Sequence, residues 1–348
     1  MSEQSRNYLS RELLRKRVTA KIIDRAALLQ DLSEVYVTTD RDREMTMELE
    51  VMIAHMLNPN TRAGYAVAVT GPSGAGKSTL VNQRLDATTE FETFDDGYGN
   101  DVEFCLRVQT PSSCTALTLG TAILTASGYP LQKMRDEDEV WRTVRNRLQR
   151  KMHKVIFLDE FQHVLKGSQA KGAAHLTNQI KLLMQDPDWP VWLIIAGIPD
   201  IMEFVNRDVW QQADRRIGEI SIDGLTDTEG DIEQTREMIK VFAETCKLKL
   251  ALPLLDDFIR QLMHGALWRF GISIQLTKRS IESALWDEKG NSSLSHAHFV
   301  DGYRRLSRCT RVSNVFMSPD WRRIQREIGR NGKLTSSFKL LDRELERL

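Results

Sequence analysis

The sequence predicts an α/β protein: a parallel five-stranded sheet sandwiched between helices, followed by a smaller all-helical domain. Three observations carry this prediction. A glycine-rich loop, Gly71-Pro72-Ser73-Gly74-Ala75-Gly76-Lys77-Ser78-Thr79, follows an apolar run at 65–69 and leads directly into Leu80 and Val81. Strand, loop and helix in that order are the context a phosphate-binding loop requires. A second apolar run, Val155-Ile156-Phe157-Leu158, ends in Asp159-Glu160, as expected of a strand buried on both faces whose C-terminal end presents carboxylates. Five strand-like runs interleave with helical patterns up to residue 223, and beyond that point the pattern is helical only.

Taken in order, residues 1–32 form a basic helical pattern with an interrupted apolar face of Leu9, Leu13, Leu14, Ile22, Ile23, Leu28 and Leu29. A docked helix with a solvated basic face and an arm that touches a partner or DNA both fit this pattern. A second amphipathic helix over 44–57 leads to the strand at 65–69, and the helix after the glycine-rich loop runs to about residue 86. A polar, Gly-containing stretch through Asn100 breaks the pattern. Residues 102–108 alternate as a strand, a polar turn follows, and 115–127 and 137–152 are helical. After the strand at 155–158 comes a helix through Ile180, Leu183 and Met184; Pro187-Asp188-Trp189-Pro190 stops it and opens the strand at 191–196. A helix near 201–206 and a short strand at 217–222 complete the sheet pattern. Helices follow at 229–245, 253–262, 275–286 and 295–306.

Residues 301–348 hold twelve Lys and Arg against six acids, and the segment Trp321-Arg322-Arg323-Ile324-Gln325-Arg326-Glu327-Ile328 reads as a short basic helix. The division this implies is an N-terminal helical extension at 1–45, an α/β core at 46–223, a helical lid at 224–300 and a basic tail at 301–348, the tail serving as a partner or DNA contact or else packing on the lid with its arginines solvated.

Composition bounds the rest. The chain of 348 residues carries 48 basic and 48 acidic side chains, so any nucleic-acid site must be local rather than a global basic field. Cys105, Cys114, Cys246 and Cys309 lack metal-ligand or redox spacing, which suits packed thiols in a reducing compartment. The longest strongly apolar run, at 191–198, is strand-sized. A soluble cytoplasmic protein with no membrane partner is expected.

The chemistry follows from residue types at fixed spacing. Amides of the glycine-rich loop at a helix N-terminus surround a β-phosphate. Lys77 adds positive charge for the β- and γ-phosphates, Ser78 offers a hydroxyl to Mg²⁺, and Thr79 opens the helix. In such a protein Asp159 holds the Mg²⁺ shell and Glu160 polarises the attacking water. An adjacent Asp and Glu points to an ATPase rather than a switch GTPase, and no Asn-Lys-x-Asp guanine reader occurs. ATP and Mg²⁺ are the expected cofactors.

The phosphate loop, the Asp-Glu strand, the paired Arg215 and Arg216 before the fifth strand and the helical second domain together are similar to the AAA+ ATPases. Within them the chain resembles the TniB and TnsC regulators of transposition. Leu158-Asp159-Glu160-Phe161-Gln162-His163-Val164-Leu165 is close to that family's Asp-Glu-x-Gln-His stretch, and Ile194-Ile195-Ala196-Gly197-Ile198-Pro199 is close to its apolar-Gly-Thr-Pro strand end. The resemblance covers roughly residues 35–300. It implies a homo-oligomer that binds ATP, assembles on double-stranded DNA as a ring or helical filament, and marks a target for a transposase and a targeting adaptor, with hydrolysis driving disassembly.

By position, the resemblance assigns the nucleotide to residues Gly71 to Thr79, the metal to Ser78 and Asp159, and catalysis to Lys77, Asp159 and Glu160. Arg215 or Arg216 would reach the γ-phosphate of a neighbouring subunit. DNA contacts would fall at Ser113 and Thr115 beside Ser112, and at Lys133 and Arg135, with Lys166 and Lys171 as further candidates. A site that tracks phosphates needs short polar donors and cations. Two departures stand out: Ile198 occupies the place of a polar Thr or Asn sensor, and Ile272-Ser273-Ile274-Gln275 follows Gly271 where many AAA+ proteins carry a second-sensor Arg. Arg269 or Lys278 could substitute. The balanced charge also suits a non-DNA AAA+ remodelling or signalling ATPase, whereas the tandem Asp-Glu and the paired Arg disfavour a small-molecule P-loop kinase.

Overall fold

A computed structural model describes residues 3–129, 136–164, 170–202, 218–287, 292–328 and 334–338. The chain divides into two units, one formed by Thr38–Gly224 and the other by Met1–Val37 together with Leu225–Leu348.

The first unit is built on five parallel strands: β1 (Ala66–Thr70), β4 (Cys105–Gln109), β5 (Val155–Asp159), β6 (Trp192–Gly197) and β7 (Gly218–Ser221), in the spatial order β4-β5-β6-β1-β7. Every residue of β1 and β6, and Val155 to Leu158 of β5, is buried, because helices cover both faces of the sheet. The period-two alternation of a strand sorts the side chains. Ala66, Ala68, Ile156, Leu158, Leu193 and Ile195 pack with α5 (Ala116–Ala126), α6 (Glu137–Arg150) and α7 (Ala170–Met184). Val67, Val69, Val155, Phe157 and Ile194 pack with α3 (Asp40–Leu57) and α4 (Lys77–Ala87). Helix α3 starts earlier than the sequence pattern suggests because Thr39 and Asp42 close a capping box at its N-terminus. Asp42 also pairs with Arg84 of α4 at 3.1 Å.

The polar stretch through Asn100 forms a small hairpin of β2 (Phe94–Asp95) and β3 (Asp101–Val102). Its turn is closed by carboxylates: Asp95 Oδ1 accepts from the Gly97 N–H at 2.6 Å and Asp96 Oδ1 from the Tyr98 N–H at 2.8 Å.

The second unit contains α1 (Glu3–Arg15), α2 (Ala20–Glu34), α8 (Glu229–Thr245), α9 (Asp256–Gly265), α10 (Phe270–Trp286) and α11 (His296–Ser307). A short parallel pair, β8 (Lys249–Leu250) with β9 (Ser293–Leu294), stitches two of its loops. Of the extension expected at 1–45, residues 1–37 belong to this unit, as does the basic tail expected outside the fold, whereas the stretch from Thr38, with the start of α3, belongs to the first unit. The reason is packing: Leu32 of α2 and Val315, Phe316, Trp321, Ile324 and Leu334 share one apolar cluster with Phe242, Ile259, Leu276 and Tyr303.

The short basic helix expected at Trp321 is also corrected. Trp321–Arg323 is a single 3₁₀ turn that runs into β10 (Ile324–Ile328), antiparallel to β11 (Leu334–Phe338). Exposure alternates along β10, with Ile324 buried and Gln325 and Glu327 exposed, which is a strand period rather than a helical one. All four cysteines are buried free thiols. Among the described residues no helix is long and apolar enough to cross a membrane.

Candidate functional site

Parallel strands of an open α/β sheet gather their chemistry at their carboxyl ends, and that is where the glycine-rich loop lies. It leaves β1 after Thr70 and becomes α4 at Lys77, two residues before the start expected at Thr79. Gly76 caps the helix at φ +106°, a left-handed conformation disfavoured for any residue with a Cβ. Apart from its chain neighbours and its own helix backbone, no atom of the described residues stands within 4 Å of where a Cβ at Gly76 would sit, so backbone conformation demands glycine there.

Lys77 is buried at 7 % exposure, and its ammonium donates to the carbonyls of Gly71 at 2.9 Å and Pro72 at 3.0 Å. The Ser78 hydroxyl donates to Asp159 Oδ1 at 2.8 Å, a charge-assisted bond joining the helix start to the end of β5. The same carboxylate oxygen accepts from the Glu160 N–H at 2.9 Å. Glu160 adopts φ +55°; for a non-glycine residue this conformation costs about 1–3 kcal/mol and is a feature of functional sites. Its Oε2 accepts a short hydrogen bond from Gln162 Nε2.

The arrangement fits a nucleoside triphosphate with Mg²⁺. A helix N-terminus preceded by a glycine-rich loop offers amides to phosphate. Ser78 and Asp159 converge as the one hydroxyl and one carboxylate that suit Mg²⁺, which takes its remaining ligands from water and phosphate oxygens. The described residues contain no cluster of three or more His, Cys, Asp or Glu able to hold a metal alone.

The structure thus brings together Lys77, Ser78, Asp159 and Glu160. Ser113 is exposed before α5, and Thr115 is the N-cap of that helix, its hydroxyl accepting from the Thr118 N–H at 3.2 Å. Lys171 lies in α7. Lys133, Arg135, Lys166, Arg215 and Arg216 lie outside the described residues. Ile198 follows β6 directly and offers no polar side chain there. In the helical unit, Lys278 stands over the Phe242 ring at 5.2 Å, where burial lowers its pKa; burial also lowers that of Arg269.

Two residues at the strand ends escaped the sequence reading as individuals. Gln162 appeared there only within a motif, and Thr110, after β4, has a buried hydroxyl without a hydrogen-bond partner among the described residues. The available signal for Gln162 was a lone amide between the apolar Phe161 and Val164, both now buried.

Fold and site together define a P-loop nucleotide-binding protein of the AAA+ class. The family model described as the bacterial TniB protein matches residues 30–225, more than half of the chain, and the chain belongs to that family. Among solved structures, it is similar to the Aeropyrum pernix ORC2 protein in its ADPNP-ADP complexes, with 16% identity over 79% of this chain and 71% of that one and a TM-score of 0.54. It is also similar to Cdc6p from Pyrobaculum aerophilum, with 10% identity over 78% and 69% and a TM-score of 0.51. Identities this low describe the shared fold. No curated protein sequence matches the chain.

Proposed function

We propose that this chain is an ATP-hydrolysing regulator of DNA transposition that assembles with its own copies on double-stranded DNA and engages a transposase and a targeting adaptor, hydrolysis ending the assembly. The observation that carries this reading is the convergence of Lys77, Ser78, Asp159 and Glu160 in a chain of the TniB family. Loop amides and Lys77 would bind the β- and γ-phosphates, with Lys77 exchanging its loop carbonyls for phosphate oxygens. Ser78 and Asp159 would hold Mg²⁺, which when bound neutralises phosphate charge. Glu160 would orient the attacking water and take its proton. Arg215 or Arg216 would act as the finger that completes a neighbouring copy's site.

On the DNA side, the family resemblance points to exposed Ser113 and Thr115 at the start of α5 and to Lys133 and Arg135, which lie outside the described residues. Lys171 in α7 and Lys166 are secondary candidates. Binding through phosphates predicts tolerance of sequence and a strong salt dependence. The test is retention of labelled duplex DNA by the full chain with a non-hydrolysable ATP analogue, in salt rising from about 50 to about 200 mM. Retention that requires nucleotide and collapses with salt supports the reading. Nucleotide binding without any retention of DNA would leave the non-DNA remodelling or signalling ATPase in its place.

A further inference from the structure

Glu160 is the residue whose geometry the proposed chemistry depends on most, and its own turn holds it. The backbone is left-handed at this residue, with the N–H tied to Asp159 Oδ1 at 2.9 Å. That leaves the carboxylate at the end of a side chain with three rotatable bonds. A general base works only within hydrogen-bond reach of the proton it takes, and a misplacement of about 1 Å costs about 100-fold in rate. Something must therefore fix the carboxylate, and the contact present is the amide of Gln162.

Three features make that amide a built part of the site. Gln162 is 7 % exposed, so its position is set by packing rather than by solvent. The turn carrying it is fastened to the adjacent strand, because the Phe161 N–H donates to the Ala196 carbonyl at 2.8 Å. The amide also occupies space that exists only because residue 197 is glycine. A Cβ there would stand 2.8 Å from Gln162 Oε1, 2.8 Å from Ile201 Cγ2 and 3.3 Å from the Gln162 backbone nitrogen. The Gly197 carbonyl in turn accepts from the Gly71 N–H at 3.2 Å, so the start of the phosphate loop, the end of β6, Gln162 and Glu160 form one connected series.

The chemistry of an amide suits this task. An N–H donor fixes the direction of a carboxylate without placing a full positive charge beside it. Gln162 Oε1 is buried and has no hydrogen-bond partner among the described residues. Leaving a buried carbonyl oxygen unpaired costs stability, and side chains that merely fill space are seldom left in that state.

We infer that Gln162 is the positioning residue of the water-activating carboxylate: its amide sets the direction of Glu160, and Gly197 keeps open the space that the amide requires. This rests on the reading of Glu160 as the base. The residue after Gly197 is Ile198, whose side chain has no polar atom to share the task. The side chain that polices the end of β6 comes instead from the turn after β5.

The experiment compares single-turnover ATP hydrolysis and nucleotide affinity in the full chain for the native protein, Gln162→Met, Gly197→Ala, Glu160→Gln and the double variant Glu160→Gln with Gln162→Met. Methionine keeps the volume of glutamine and removes the donor. Gln162→Met should lower the hydrolysis rate about 10- to 100-fold with nucleotide affinity unchanged, and Gly197→Ala, which crowds the amide, should lower the rate as well. In the double variant the Gln162 loss should vanish, because residues that act as a unit are not additive. A native hydrolysis rate in Gln162→Met overturns the inference, and so does a Gln162 loss that persists undiminished in the double variant. Native hydrolysis in Glu160→Gln would instead remove the base reading itself, and the inference with it.

Discussion

Two residues show how a local environment sets a measurable property. The Lys77 ammonium is buried and held by two loop carbonyls, an arrangement that keeps a cation where phosphate charge is expected. Lys77→Ala removes that charge. ATP affinity should fall about 10- to 100-fold, the value of one lost hydrogen bond to a charged group. Equilibrium binding of a fluorescent ATP analogue measures this, and an unchanged affinity would remove Lys77 from the phosphate site.

His264 is the second case. It lies against Trp321 with ring centroids 4.9 Å apart, and burial, followed by the positive charge of Arg326, pushes its pKa down to about 4. Between the ordinary value of about 6.5 and about 4, the unfolded chain binds a proton that the native protein does not. Stability is therefore complete above that window and falls as pH drops through it. Urea melts near pH 7 and near pH 5 should show a smaller pH-dependent loss in His264→Gln than in the native chain. Equal losses would mean that other groups carry the acid sensitivity.

At the scale of elements, α10 and α11 approach closely because the facing side chains are small. Ser273, Thr277 and Ser280 of α10 are fully buried at helical spacing, and Gly302 of α11 meets Ser280. A Cβ at Gly302 would stand 2.5 Å from the Ser280 hydroxyl oxygen, 2.8 Å from its backbone nitrogen and 2.9 Å from its Cα. The hydroxyl can rotate away; the backbone has no such freedom. Gly302→Ala gains about 1 kcal/mol of helix propensity, but overpacking costs about 1–3 kcal/mol, so the denaturation midpoint should fall. A raised midpoint would show that the two helices separate without penalty.

At the scale of the whole molecule, the division into two units changes what a truncation does. Val315, Phe316, Trp321, Ile324 and Leu334 are buried in the apolar cluster of the helical unit, so removing 308–348 exposes the partners of five core side chains. The buried Trp321 alone is worth about 3–5 kcal/mol on truncation to alanine. The shortened protein should lose much of the helical unit's resistance to urea, read by circular dichroism. Nucleotide binding should persist, because the strands and loop that form the site lie within Thr38–Gly224. Unaltered stability of the shortened chain would place the tail outside the core after all.

The amino-acid sequence by itself determined the parts of this protein whose physics is local. A phosphate loop is read from consecutive residues, a doubly buried parallel strand from an unbroken apolar run, and the carboxylates at its end from their adjacency. Lys77, Ser78, Asp159 and Glu160 and the five-stranded sheet were legible for that reason. Tertiary structure decided whatever depends on a choice between periods or on contact between distant segments. The basic segment after Trp321 is short enough to suit helix or strand, and pairing with β11 selected the strand. The first helices and the tail joined the helical unit because their apolar residues found one shared core. The grip of Gln162 on Glu160 needed a glycine contributed by another strand, a steric condition that becomes visible only when β5 and β6 lie side by side.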